Sequence, residues 1–302
     1  MTYSMVARDP ESGHMGVATQ SQAFAVGSSV SWALPGYGVI ATQSTGEPMY
    51  GELGLDVLRS GLTAAEALGA LRTVDPHPEQ RQVAMVDGRG GVAAYTGDAC
   101  VPEAGHRLGE GCASLANLMA SATAWDAMID AFDADDGPLA GRLIEALRAA
   151  ETEGGDLRGR RSAALLVVEA TRSGRPWQDQ VVDLRVDDHP DPVEELARLV
   201  AYSDRYHRFV EAFELALEGR TADALAILED EATDPESEPD LTLWRAVVLA
   251  RAERANDAAV LLHELGDVAP AFVEAARRFG RAGLVDPDLL SELLPEAPGP
   301  RQ

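Results

Sequence analysis

The feature that most constrains the fold is a change of hydrophobic period at His189-Pro-Asp-Pro192. Before it, short apolar runs alternate with amphipathic helical stretches. After it, helical spacing continues nearly to the end with no strand pattern. Tyr3 to Asp9 and His14 to Gln20 read as strands joined by the turn Asp9-Pro-Glu-Ser-Gly13. Gly38 to Gln43 reads as another strand. Helices are expected over 49–60 and from Thr63, where Glu66 three residues on completes a capping box. Gln82 to Val86 and Val92 to Thr96 form a hairpin around Asp87-Gly-Arg-Gly90. A strand is expected just before Asn117, and two helices follow, over 122–133 and 138–150. Ser162 to Glu169 and Val181 to Val186 supply the last strands. Strands, two helices, strands, two helices and strands predict an α+β layered sandwich over residues 1–188. Residues 189–302 are expected to form an all-α domain.

That second part repeats itself. Arg220-Thr-Ala-Asp-Ala-Leu-Ala-Ile-Leu228 recurs as Arg254-Ala-Asn-Asp-Ala-Ala-Val-Leu-Leu262, and Phe209, Ala212 and Leu215 match Leu243, Ala246 and Leu249 at the same offset of 34 residues. This is the period of tetratricopeptide helix pairs. Small Ala224 and Ala258 fall where two helices must approach closely. A third unit is expected from Ala269 to Leu294, followed by a disordered tail at Pro295-Glu-Ala-Pro-Gly-Pro300.

Composition narrows the function. Acidic residues number 50 against 25 basic ones, a net charge of -25, and every basic residue is an arginine. Such a surface repels phosphate backbones and anionic lipid, which excludes nucleic-acid and membrane binding as expected roles. Without lysine, Schiff-base chemistry by the chain itself is excluded. No apolar run approaches a membrane span and no secretory signal is read, so the expected location is the cytoplasm. Cys100 and Cys112 with His106 midway fit no zinc spacing and read as buried thiols. Gly88-Arg-Gly-Gly91 lacks the lysine of a phosphate loop and reads as a hairpin turn.

The sharpest chemical signal is Met1-Thr2. Thr2 is small enough for Met1 to be removed, which leaves a hydroxyl and a free α-amine on one residue. The amine titrates near ~8 and can accept the hydroxyl proton as the oxygen attacks a carbonyl.

Several segments carry a family resemblance: Thr2-Tyr-Ser-Met-Val-Ala-Arg-Asp9, Gly16-Val-Ala-Thr-Gln-Ser21, Phe24-Ala-Val-Gly27, Gly38-Val-Ile-Ala-Thr-Gln43, Thr96-Gly97, Ala104-Gly-His106, Gly109-Glu-Gly111, Asn117, and Gly155-Asp-Leu-Arg-Gly159 with Ser162-Ala-Ala-Leu-Leu166. Over residues 2 to 188 the chain resembles the DUF1028 family, which looks like a branch of the N-terminal-nucleophile hydrolases. The resemblance implies an αββα sandwich, Thr2 as nucleophile, and Asp156 and Ser162 holding its amine. The carboxylate expected at the end of the second strand is replaced here by Gln20-Ser21-Gln22, and the usual lysine is missing. A homodimer through the sandwich is the superfamily's habit.

These readings assemble into an amide hydrolase acting on a small amide or short peptide, with no metal or organic cofactor. Thr2, Asp156, Ser162 and Asn117 are its expected catalytic residues, Asn117 as an oxyanion donor. Gln20, Ser21, Gln43, Arg158 and Arg161 are its expected substrate contacts. The rival reading is a non-catalytic binder of a small ligand or peptide, with a protein partner held by residues 206–294.

Overall fold

The computed structural model describes residues 2–283. The chain forms two compact units, 1–200 and 201–302. The first contains β1 (Thr2–Arg8), β2 (Met15–Ser21), β3 (Ser31–Leu34), β4 (Gly38–Ser44), α1 (Met49–Arg59), α2 (Ala64–Val74), β5 (Arg81–Asp87), β6 (Val92–Thr96), β7 (Gly105–Gly109), β8 (Cys112–Asn117), α3 (Ala124–Ala134), α4 (Leu139–Thr152), β9 (Ser162–Val168) and β10 (Gln180–Val186). The boundary between the units falls within α5 (Pro192–Leu217).

Two antiparallel sheets stack between two helix pairs. One sheet has the order β10-β9-β2-β1-β8-β7, the other β3-β4-β5-β6. Val6, Val17, Val39, Ala84, Val86 and Leu115 fill the space between them. Tyr3, Met5 and Leu165 point out of the larger sheet onto Met128, Phe132 and Leu143 of α3 and α4. Ile40, Val83 and Met85 point out of the smaller one onto Tyr50, Leu58, Leu68 and Leu71 of α1 and α2. The result is the αββα sandwich. Because the inner strands are covered on both faces, their sequences read as continuous apolar runs rather than alternations. The capping box of α2 is present: Thr63 accepts the Glu66 N–H at 3.3 Å, and Glu66 takes the Thr63 N–H at 2.8 Å.

Two strands were not legible. β3 has only four residues, and β7 is a glycine-bounded edge strand. Gly105 has no side chain because Trp125 occupies the space: a Cβ there would meet the indole at 2.5 Å. The ring thus covers a strand that is too polar to announce itself.

The second unit contains the remainder of α5, then α6 (Thr221–Ile227), α7 (Pro239–Arg251), α8 (Ala255–Val268) and α9 (Pro270–Arg281). The 34-residue repeat is visible in its geometry. Ala212, Ala246, Ala224 and Ala258 are all fully buried. Arg220 pairs with Asp223 at 2.8 Å and Arg254 with Asp257 at 2.7 Å. The Arg220 and Arg254 N–H groups close equivalent turns on Leu215 and Leu249 carbonyls, both at 2.9 Å. The left-handed residue of the turn is Gly219 (φ 83°) in one copy and Glu253 (φ 61°) in the other. A non-glycine side chain there costs about 1–2 kcal/mol. Glu253→Gly is therefore expected to raise stability by about 1 kcal/mol, read as a higher denaturant midpoint. Helix α9 occupies the first part of the expected third repeat; the rest of it and the proline-rich tail lie outside the described residues.

Candidate functional site

Thr2 opens the central strand of the larger sheet. It pairs with Ser21 of β2 on one side and Asn117 of β8 on the other. Alternation along β1 turns Thr2, Ser4 and Val6 toward the second sheet and Tyr3, Met5 and Ala7 toward α3 and α4. Thr2 is 7% exposed. Its Oγ1 donates to Ser21 Oγ at 3.1 Å, and the same serine oxygen accepts the Ala23 N–H at 3.0 Å.

The Thr2 carbonyl is clamped by two amide side chains. It accepts from Gln43 Nε2 at 3.0 Å and from Asn117 Nδ2 at 3.3 Å. Both amides also donate to Gln82 Oε1, each at 2.8 Å. Gln82 Nε2 in turn donates to Ala116 O at 2.8 Å, Thr96 Oγ1 at 3.0 Å and Gly105 O at 3.1 Å. Ser4 Oγ donates to Gln43 Oε1 at 2.6 Å, which fixes the orientation of that amide. A buried network thus spans both sheets and ends on the backbone of residue 2.

This network corrects two expectations. Gln43 is no substrate contact, because its amide is spent inside the protein. Asn117 is no oxyanion donor, because its N–H groups are committed to Thr2 O and Gln82; its Oδ1, an acceptor, is the atom left without a partner among the described residues. Gln82 went unrecognised in the sequence, where Arg81-Gln-Val-Ala-Met-Val-Asp87 reads simply as a strand. The available signal was a polar amide inside a run that is otherwise buried. Gln82→Leu removes one acceptor shared by two buried donors. It is expected to cost about 1–3 kcal/mol for each donor left unmet, seen as a fall in denaturant midpoint without change in slope.

Gln20 is corrected by strand parity. It is adjacent to Ser21 but lies opposite Tyr3, on the face packed against α3 and α4. It is fully buried and its amide has no partner among the described residues. It lies on the opposite face of the sheet from the Thr2 hydroxyl.

Ser162 is corrected as well. Its hydroxyl donates to Ala23 O at 2.7 Å and accepts the Val26 N–H at 3.0 Å. It pins the 23–26 loop beside Ser21 rather than orienting an amine.

Asp156 lies in the connection between α4 and β9. Its Oδ2 accepts the Gln22 N–H at 3.2 Å, and its backbone bridges to Met119. Gln22 continues β2 and Met119 lies just past β8, the two neighbours of β1, so Asp156 stands across the end of β1 at Thr2. Its carboxylate is fully buried and paired with Arg158 Nη2 at 2.8 Å. Burial opposes its ionisation, but the Arg158 guanidinium and N–H and the Gln22 N–H hold it below the usual carboxylate range. Arg158 thus serves Asp156. Arg161 is taken by exposed Asp188 at 3.0 Å, and its contribution at the site is a backbone N–H on Ser21 O at 3.1 Å. Its guanidinium is therefore turned to a surface ion pair.

Backbone strain gathers at the same end. Of the five non-glycine residues with positive φ among those described, four lie there: Ala25 (51°), Ser44 (72°), Glu103 (55°) and Leu118 (53°). Ser44 follows Gln43, Leu118 follows Asn117, Glu103 O accepts the Met119 N–H, and Ala25 precedes Val26 on Ser162. Each costs on the order of 1–3 kcal/mol, and such residues cluster where a site is held in a set geometry. The cysteines take no part. Both are free and buried, and burial pushes the Cys112 thiol to about 12. His106 Nδ1 shares a hydrogen bond with Thr96 Oγ1 at 2.8 Å. Among the described residues no cluster of His, Cys, Asp and Glu could hold a metal ion, and no helix is long and apolar enough to cross a membrane.

Comparison with known proteins adds a family. A model described as a family of unknown function, DUF1028, matches residues 2–196. Among solved structures, protein SPO2555 from Silicibacter pomeroyi, which carries the same family model, is 31% identical with a TM-score of 0.61, over 67% of this chain and 88% of that one. Anbu (ancestral beta-subunit) from Yersinia bercovieri is 12% identical with a TM-score of 0.34, over 67% of this chain and 94% of that one, too distant to carry an inference. No curated protein matches. A match that takes in the whole sandwich, joined by a 31% identical structure, shows that the chain belongs to the DUF1028 family.

Proposed function

We propose that this protein is an amide hydrolase of the N-terminal-nucleophile type, acting through Thr2 on a small amide or short peptide. The observation that carries the reading is the hold on residue 2: its hydroxyl rests 3.1 Å from Ser21 Oγ while its carbonyl is fixed by Gln43 and Asn117. The same buried network that ties the two sheets together fixes the backbone of residue 2, as a positioned nucleophile requires.

The chemistry follows from the groups present. With Met1 removed, the Thr2 amine takes the hydroxyl proton as Oγ1 bonds to the amide carbon. The tetrahedral intermediate collapses, the C–N bond breaks, and the ammonium returns its proton to the leaving amine. Water then attacks the acyl-ester, again with the amine as base, and releases the acid. The ionised Asp156 across the end of β1 holds the amine in place. Since the N–H groups of Asn117 are spent, a backbone N–H receives the oxyanion. Arginine stays protonated and cannot replace the absent lysine as a proton shuttle, so the amine is the base.

An intact-mass measurement tests the first requirement: the mature chain must lack one methionine. Retention of Met1 sinks the reading, because the amine would be an amide nitrogen. A processed chain must then also be acylated at Thr2 by a hydroxyl-directed β-lactone.

A second reading is favoured by the absence of lysine. The sandwich is then a non-catalytic small-ligand binder, and the helical unit docks a peptide or protein partner. Under it, Met1 retention is compatible with full ligand affinity.

A further inference from the structure

Three arginines face one cavity of about 330 Å³ at the far end of β1: Arg8, Arg89 and Arg142. Arg8 lies six positions along β1 from Thr2, roughly 20 Å, so this cavity is distinct from the nucleophile.

Each arginine is presented by a rigid element. Arg8 ends β1, and its N–H donates to Gly111 O at 2.8 Å. Its side chain passes two turns at positions without a side chain, Gly13 and Gly90. A Cβ on Gly13 would come within 3.2 Å of Arg8 Nη2, and one on Gly90 within 3.9 Å of its Cδ. Arg89 sits in the β5–β6 turn, which a buried carboxylate pins. Asp87 Oδ1 accepts the N–H groups of Arg89 and Gly91, both at 2.9 Å, and its Oδ2 accepts that of Ala64 at 3.0 Å. Arg142 of α4 donates to Phe132 O at 3.3 and 3.2 Å, lies 4.0 Å over the Phe132 ring, and reaches Asp9 at 3.6 Å.

The charge pattern is the second observation. Acids outnumber arginines 50 to 25 in this chain, so carboxylate partners are abundant. Yet among the described residues neither Arg8 nor Arg89 has one within ion-pair distance, although Glu110 and Asp133 line the same cavity. Both acids are exposed, while Arg8 is half-buried. A partly desolvated guanidinium without a counter-charge is unfavourable until an anion supplies one. Guanidinium forks match the oxygen pairs of carboxylates and phosphates. The two exposed acids and the net charge of -25 repel an extended polyanion but leave room for a compact one.

We infer that this cavity binds a small dianionic oxyanion, a phosphate or dicarboxylate group, between Arg8, Arg89 and Arg142. The inference does not rest on the Thr2 chemistry.

Calorimetric titration of the full chain with inorganic phosphate, and separately with succinate, at fixed ionic strength in chloride, tests it. Saturable binding of one or both is expected, and which anion binds assigns the tetrahedral or the planar class. Arg89→Gln and Arg8→Gln are each expected to weaken that binding by about tenfold or more. Arg89 is exposed and its side chain makes no hydrogen bond among the described residues, so its variant keeps the test valid if Arg8→Gln unfolds. Arg220→Gln removes the same charge in the second unit and should leave the titration unchanged. Thr2→Ala should also bind the anion as the parent does, which separates this site from the hydrolase reading. No saturable binding of either anion, or binding that survives Arg89→Gln undiminished, overturns the inference.

Discussion

Thr2→Ala is expected to lower amide hydrolysis by at least about 10³-fold, the scale at which removal of a covalent nucleophile acts, and to abolish β-lactone labelling. Alanine is smaller than threonine, so Met1 processing should be unchanged and the amine kept. The variant loses only the hydrogen bond to Ser21, worth about 1 kcal/mol, so its unfolding midpoint should stay close to the parent's. Thr2→Ser keeps the hydroxyl and should keep labelling. Equal labelling of Thr2→Ala and parent would place the reactive hydroxyl elsewhere. Loss of labelling together with loss of the folded state would point instead to a structural role for the side chain.

The largest stability effect is expected at Asp75→Ala. Asp75 closes α2 and accepts from Arg81 Nε at 2.9 Å, Arg81 Nη2 at 3.2 Å, Tyr50 OH at 3.0 Å and the His77 N–H at 2.9 Å. Its side chain is 1% exposed and that of Arg81 8%. Removing the carboxylate leaves the guanidinium buried with only the Thr45 carbonyl, at 2.9 Å. Loss of one partner of a buried pair costs about 3–5 kcal/mol, which chemical denaturation would read directly. Arg81→Met in the same background removes the stranded charge and should recover part of the loss. Recovery of nothing would mean that Asp75 acts through Tyr50 and the turn rather than through the ion pair.

The same carboxylate sets the acid limb of stability. Burial raises the Asp75 pKa, but the bonds from Arg81, the His77 N–H and Tyr50 outweigh it, so the folded value lies below that of the unfolded chain. Asp156 is shifted in the same direction. A group depressed on folding contributes stability above its unfolded pKa, near ~3.9, and loses it as pH falls through the folded value. The unfolding free energy should therefore drop below about pH 4, and Asp75→Ala should flatten part of that slope.

How much of this was legible depends on whether the cause is local. The capping box at Thr63 and Glu66, the turn at Asp87 and the repeat linking Arg220 to Arg254 arise from neighbours in the chain, and the sequence showed all of them. Asp75 carries no local signal of its role, because its partner Tyr50 lies 25 residues away on another helix. Gln82 read as one more strand residue, because its partners come from β4, β6, β7 and β8. Gln20 and Ser21 could not be told apart until register placed one on each face of the sheet. The sequence by itself determined most of the helices and strands, though not the short β3 or the polar edge strand β7, and that a threonine stands at the head of the first strand. Only the tertiary structure decided which polar groups meet there, since hydrogen bonds across a sheet join residues that no local period relates.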